Sequence, residues 1–393
     1  MRKYPWFLAI LATLGGCFLT IAQAQQATRT YEVWAADQNA NVLYVLDPDG
    51  NVLRTIDGAT LGDAKRPHML VGVPKDEYVY SANTASNSVS ALSARDGQVK
   101  AVIAGVGKAP HAAQPHPLRP EQIYVANIAP QAMGSDGKPD RGETISELAR
   151  MSNTTWEVKR FLDLKSAPAL ADTNRFPSRR PVCAGFSKDG RHMLVTLFDG
   201  GLALVDLPAW TVVKGWGKDE IAKHGCGFAA SPSGDELYVT AGDQHASWLY
   251  VFDVTGEPTL VASHNLSQVG QDAHGAAIDP AGQTLWVVHR VSSNVTMHPL
   301  ATIRQAGHQF QVIDFVGKTP DLIVFAPDHR RAYVTLRGPK PAPTIPHATV
   351  GETPGVAIID VATRKLVQVI KLGDPAAADF HGIFIPHVDK DKS

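Results

Sequence analysis

The chain has 393 residues and balances 37 Lys+Arg against 38 Asp+Glu. A net charge of −1 excludes the basic groove of a nucleic-acid binder and the polybasic patch of a membrane-surface protein. At 44% hydrophobic and 19% charged residues, the composition is that of an ordinary globular protein, and 33 Gly with 27 Pro supply many tight turns.

Met1-Arg2-Lys3 opens the chain with a short basic stretch. An apolar run from Trp6 to Ala22 follows, broken by Gly15-Gly16 and ending in Ala22-Gln23-Ala24. This pattern predicts a signal peptide over 1–24, cut before Gln25, and hence an exported, periplasmic or secreted domain over 25–393. The run is about 17 residues, at the short edge of a bilayer span, so no stable membrane insertion is expected. Cys17 is followed by Phe18-Leu19-Thr20-Ile21, which stays apolar where a lipid-anchored chain turns polar. After cleavage only Cys183 and Cys226 remain. A domain this large makes a core without a disulfide, so the role of the two sulfurs depends on where each lies.

One unit then recurs along the rest of the chain. Pro67-His68 leads through Pro74-Lys75-Asp76 into Tyr78-Val79-Tyr80-Ser81-Ala82-Asn83, and Pro110-His111 leads into Ile123-Tyr124-Val125-Ala126-Asn127. Pro181-Val182 leads through Ser187-Lys188-Asp189-Gly190 into Met193-Leu194-Val195-Thr196. Cys226-Gly227, His274-Gly275 and Pro320-Asp321 head three further copies, each passing through a Pro/Gly/Asp turn to a β-rich run. A third strand often ends in Asp47, Asp206, Asp253 or Asp360, followed by turn residues, so these carboxylates are read as turn caps without chemistry. A fourth strand follows, as in Leu366-Val367-Gln368-Val369-Ile370. Four strands per unit make one propeller blade.

The lead positions 68, 111, 182, 226, 274, 321 and 381 number seven, spaced by 43, 71, 44, 48, 47 and 60 residues, so two blades carry insertions, at 128–147 and 338–355. The last unit supplies only His381-Gly382-Ile383-Phe384-Ile385. The strands Tyr31 to Asp37, Asn41 to Asp47 and Val52 to Ile56 complete it. The expected fold is therefore all-β: a seven-bladed β-propeller with four-stranded blades, closed by N- and C-terminal strands in one blade, which removes the exposed edges of an open array.

The repeat resembles the YVTN-repeat propellers, including the YncE-like family, in which a Pro-His-Gly step precedes a Ser-Pro-Asp-Gly turn and a Tyr-Val-Thr-Asn strand. The resemblance covers nearly all of 31–386 and departs at Val182, Cys226 and Asp321, which stand where the family has His. It implies the fold and leaves the activity open, because such scaffolds host unrelated functions.

First strands line the axis of a propeller, so the leads converge on one mouth. Six of the seven, His68, His111, Cys226, His274, Asp321 and His381, have side chains that bind copper or zinc. His381, His68 and His111 come from consecutive blades, as do Cys226, His274 and Asp321. The competing reading makes these histidines inter-blade hydrogen-bond ties. The same face collects the second-strand ends, among them Asn83, Asn127, Arg290 and Arg337, read as candidate ligand-binding residues, with the arginines facing an anionic group. Long loops gathered on one rim either bind or shield. Lactonase-type propellers place a Glu soon after the second strand, where this chain has Asn83, Asn127 and Asp199, so that activity is not expected. Two functions follow: a binding or scaffold propeller recognising a small molecule or protein partner at the His-bearing mouth, or a metal- or haem-dependent redox protein using the axial ring.

Overall fold

The computed structural model describes residues 31–72, 77–135, 137–342 and 349–386. The leader over 1–24 with Cys17, the Pro74-Lys75-Asp76 turn, and Pro343, Pro346 and His347 of the second insertion lie outside the described residues. The strands form seven four-stranded antiparallel sheets, six with consecutive strands as neighbours and one that joins the last strand to the first three. The fold is a seven-bladed β-propeller.

Blades one to six span 67–104, 110–163, 181–216, 228–265, 273–313 and 320–371. Blade seven pairs the C-terminal strand Phe380–Phe384 with Val33–Asp37, Trp34 opposite Phe384 and Ala35 opposite Ile383, followed by Val42–Leu46 and Val52–Ile56. The ring closes with the composition of strands that the repeat predicts. Residues 144–147, assigned to the first insertion on sequence, belong instead to the third strand of blade two, Thr144–Arg150, which pairs with the second strand and is buried on both faces, Ile145 packing toward blade three and Leu148 toward blade one. The insertion itself is 128–143.

Middle strands read as nearly unbroken apolar runs because both faces of a blade are covered by neighbours. Tyr78–Asn83 is buried throughout, whereas the outer strand Lys365–Lys371 is half solvated. The core lies between blades: Tyr124 and Ile145 of blade two pack with Met193, Val195 and Leu197 of blade three. The Asp caps behave as expected. Asp206 accepts from the Ala209 N–H, Asp253 from Thr255 and Asp360 from Thr363, each next to its turn.

Three local devices shape the mouth. In six blades the inner strand shifts register at the lead residue, for example between Pro67 and Leu70 and between Pro320 and Ile323. Such bulges re-aim a side chain. Secondly, the residue two before the lead is left-handed in five blades, and none is glycine: Arg66 (φ 60°), Ala109 (50°), His224 (61°), Asp272 (63°) and Thr319 (52°). Each costs on the order of 1–2 kcal/mol. Thirdly, glycine follows the lead where the next blade's backbone presses close. A Cβ on Gly382 would stand 2.4 Å from the His68 carbonyl oxygen, one on Gly275 2.6 Å from that of Asp321, and one on Gly227 2.2 Å from that of His274. Each contact is to the next blade's lead residue, which gives the His-Gly step its physical reason.

Candidate metal centre at the propeller mouth

The close approach of the inner strands brings the lead side chains into direct contact. The His68 and His381 rings stack at 3.8 Å between centroids, His111 lies 4.4 Å from His68, and His274 lies 5.7 Å from His381. All four histidines are buried. Three groups have ligand atoms within 4.8 Å of one another: His68, His111 and His381; His274, Asp321 and His381; His111, Cys183 and Cys226. Each group draws on three consecutive blades, and His111 and His381 each belong to two.

The tautomers of two rings follow from their partners. The Asp321 carboxyl is pushed up by burial, but His381, Arg337 and His274 outweigh that and hold it well below the usual range, so it only accepts. Its Oδ2 lies 2.6 Å from His381 Nδ1, which therefore carries the proton and donates. His68 Nδ1 lies 2.7 Å from Gln38 Oε1 and donates to it, because the Gln38 amide nitrogen is spent on Asp379 Oδ2 at 2.8 Å. The remaining nitrogens, Nε2 of His68 and Nε2 of His381, are buried lone pairs without hydrogen-bond partners among the described residues. A carboxylate behind Nδ1 that aims a free Nε2 is the arrangement of metal-bound histidine.

Burial keeps these imidazoles neutral. It pushes His111 down to about 3 and His68 well below its ordinary value, with the neighbouring rings adding to the effect. His274 falls well below its ordinary value through burial and then Arg290. His381 is lowered by burial against the opposing Asp321.

The strand-end residues occupy other roles than those expected from sequence. Asn83 and Asn127 do not open on the mouth. Each is buried, donating to Ser88 and Ser90 or to Thr144 and Ser146 beneath the second-to-third-strand connection. Arg290 and Arg337 do meet anionic groups, but of this chain. Arg290 pairs bidentately with Asp272 at 2.8 and 3.0 Å, and Arg337 with Asp379 at 2.7 and 2.7 Å. Arg337 Nη1 also donates to Asp321 Oδ2 at 2.7 Å, while Arg290 Nη1 stands 3.6 Å from Asp321 Oδ1. Three buried carboxylates, Asp272, Asp321 and Asp379, thus face two guanidiniums beside the histidines, an excess of negative charge that favours a nearby cation.

Cys226 does not join His274 and Asp321. It is disulfide-bonded to Cys183, with Cα atoms 5.1 Å apart, and this bond staples blade three to blade four. A disulfide sulfur is not the thiolate that ligates metals. Cys183, one residue past the lead Val182, takes the blade-three place in the cluster.

A second histidine group gives a contrast. In blade five His289 bonds Ser247 and Thr296, and His298 bonds Thr296 and His308. Every nitrogen of His289 and His298 is satisfied, so these rings are structural ties, whereas Nε2 of His68 and His381 and both nitrogens of His274 have no hydrogen-bond partner among the described residues.

Solved structures similar to this chain are propellers. Kuenenia stuttgartiensis hydrazine synthase matches with a TM-score of 0.57 at 14% identity, covering 86% of this chain and 92% of that one. The Myceliophteria thermophila Cps50 (Swd1) β-propeller domain matches at 0.54 and 15%, covering 79% and 93%. A candidate 6-phosphogluconolactonase of Bacteroides fragilis matches at 0.61 and 13%, covering 91% and 99%. At these identities the likeness is one of fold alone. No protein-family model matches the chain, and no curated protein does.

Proposed function

We propose that this chain is an exported binding propeller of the YVTN-repeat type whose mouth holds one copper or zinc ion on His68, His111 and His381. The observation that carries the reading is the pair of buried, unpartnered Nε2 atoms of His68 and His381, each on a ring fixed from behind by Gln38 or Asp321. An orphaned buried polar atom is costly, so a ligand that satisfies both at once is favoured. Neutral imidazole suits both metals, and the excess of buried carboxylate supports a cation.

The described parts of three connections, 128–135 with 137–143, 164–180, and 337–342 with 349–354, follow strand ends on the face that bears the lead residues. They support a mouth that presents the loaded centre to a small molecule or protein partner. Redox work by a bound copper is the alternative use of the same centre, and a haem has less support, because the axial rings touch one another with no room for a macrocycle. Electron paramagnetic resonance of the oxidised protein with one equivalent of Cu(II) tests the reading. Hyperfine coupling to two or three imidazole nitrogens supports it, and a spectrum of aqueous or surface-bound Cu(II) contradicts it.

A further inference from the structure

We infer that Cys183 and Cys226, when reduced, form with His111 a second, thiolate-bearing metal site, so that one disulfide sets the ligands the mouth can offer. The site shares His111 with the proposed histidine centre and in that respect rests on that reading. Its two sulfurs are independent of it.

Four observations carry the inference. His111 Nδ1 already lies 3.7 Å from Cys183 Sγ, so an imidazole faces the sulfur pair. The ligand atoms of His111, Cys183 and Cys226 lie within 4.8 Å of one another. A tetrahedral ion at about 2.3 Å from each sulfur needs the thiolates about 3.8 Å apart, within reach of side chains whose Cα atoms are 5.1 Å apart. Finally, the pair sits among Ala112, Ile128, Val182 and Phe198. A bare thiolate is disfavoured in so apolar a place, and a soft cation is what stabilises it there.

The chemistry balances with a small dithiol as reductant. One dithiol thiolate attacks a cystine sulfur, breaking the S–S bond and forming a mixed disulfide. The second dithiol sulfur then closes on the first and expels the remaining cysteine. Two electrons and two protons pass from the dithiol to the cystine, and the two thiol protons leave to solvent when the metal binds. Both cysteines are buried, so a small dithiol rather than a protein reductant is the competent class.

The test titrates Co(II) into the full exported protein, oxidised or pre-reduced with dithiothreitol and freed of it without air. A thiolate-to-cobalt charge-transfer band is expected in the reduced protein only, saturating at one equivalent. Cys183→Ser and Cys226→Ser should each lose at least half its intensity, and His111→Ala should weaken Co(II) binding at least 10-fold. His68→Ala should keep the band while losing the histidine centre, which separates failure of this inference from failure of the proposed function. Absence of the band in folded, reduced wild type would overturn the inference. So would loss of the near-ultraviolet circular dichroism on reduction, which would make the disulfide a structural staple, or a band unchanged in His111→Ala.

Discussion

His68 and His381, the lead residues of the first and last blades, stack at 3.8 Å and 19° across the seam where the chain closes on itself. Gly382 permits this approach, because any side chain there would meet the His68 carbonyl. Gly382→Ala is therefore expected to push blade seven from blade one, at a cost of about 1–3 kcal/mol. Urea unfolding measures the loss, and metal affinity should fall with it as the stacked rings part.

Ala109 holds a left-handed backbone with φ 50° while its N–H donates to Asn87 and its carbonyl accepts from Ile128. Ala109→Gly keeps both bonds and relieves the strain. Offset in part by the added freedom of the unfolded chain, the net gain should be about 0.5–1 kcal/mol. Thermal unfolding of the variant should shift upward.

Arg337 is fully buried between Asp379 and Asp321. Arg337→Ala leaves two carboxylates without their cation and should destabilise the fold by about 3–5 kcal/mol. Arg337→Lys keeps the charge but loses the bidentate fork, so it should recover only part of the loss. Chemical denaturation of the two variants beside wild type gives the order.

Burial holds His289 at about 3 in the folded state, against about 6.5 in an unfolded chain. Above pH 6.5 both states are neutral there, and the group contributes nothing. As pH falls from 6.5 toward 3, the unfolded state takes up a proton that the native state refuses, so stability drops. By pH 5 this single ring should cost about 2 kcal/mol. Unfolding free energies at pH 7.5 and 5 should differ less in His289→Gln than in wild type.

Much of this was legible in the sequence because the repeat is written in turns and apolar runs. The lead residues, the closing blade and the Asp caps all follow from period and turn chemistry. Cys183 was not legible: the Pro-x register places the apolar Val182 at the blade-three lead, and the sulfur one residue further on joins the cluster through its bond to Cys226. The five left-handed positions carry Arg, Ala, His, Asp and Thr, so no glycine marks them. The ion pairs did leave a signal. Asp272 and Asp379 both stand two residues before a lead, and Arg290 and Arg337 both directly follow a second strand, but which Asp meets which Arg depends on packing between blades. Asn83 and Asn127 stand one residue earlier in the repeat than those arginines, opposite Pro67 and Pro110 as His289 and Leu336 stand opposite Ala273 and Pro320, and they bond the next strand's hydroxyls.

The central claim is that His68, His111 and His381 hold one metal ion. Its most direct test is isothermal titration of the oxidised, metal-stripped protein with Zn(II) and Cu(II) at neutral pH, with elemental analysis of the protein as purified. Wild type should bind one equivalent, and His68→Ala, His111→Ala and His381→Ala should each weaken binding at least 100-fold while unfolding cooperatively like wild type. Folded wild type that binds neither ion, or binds either as tightly after all three substitutions, would contradict the account and leave these histidines as ties between blades.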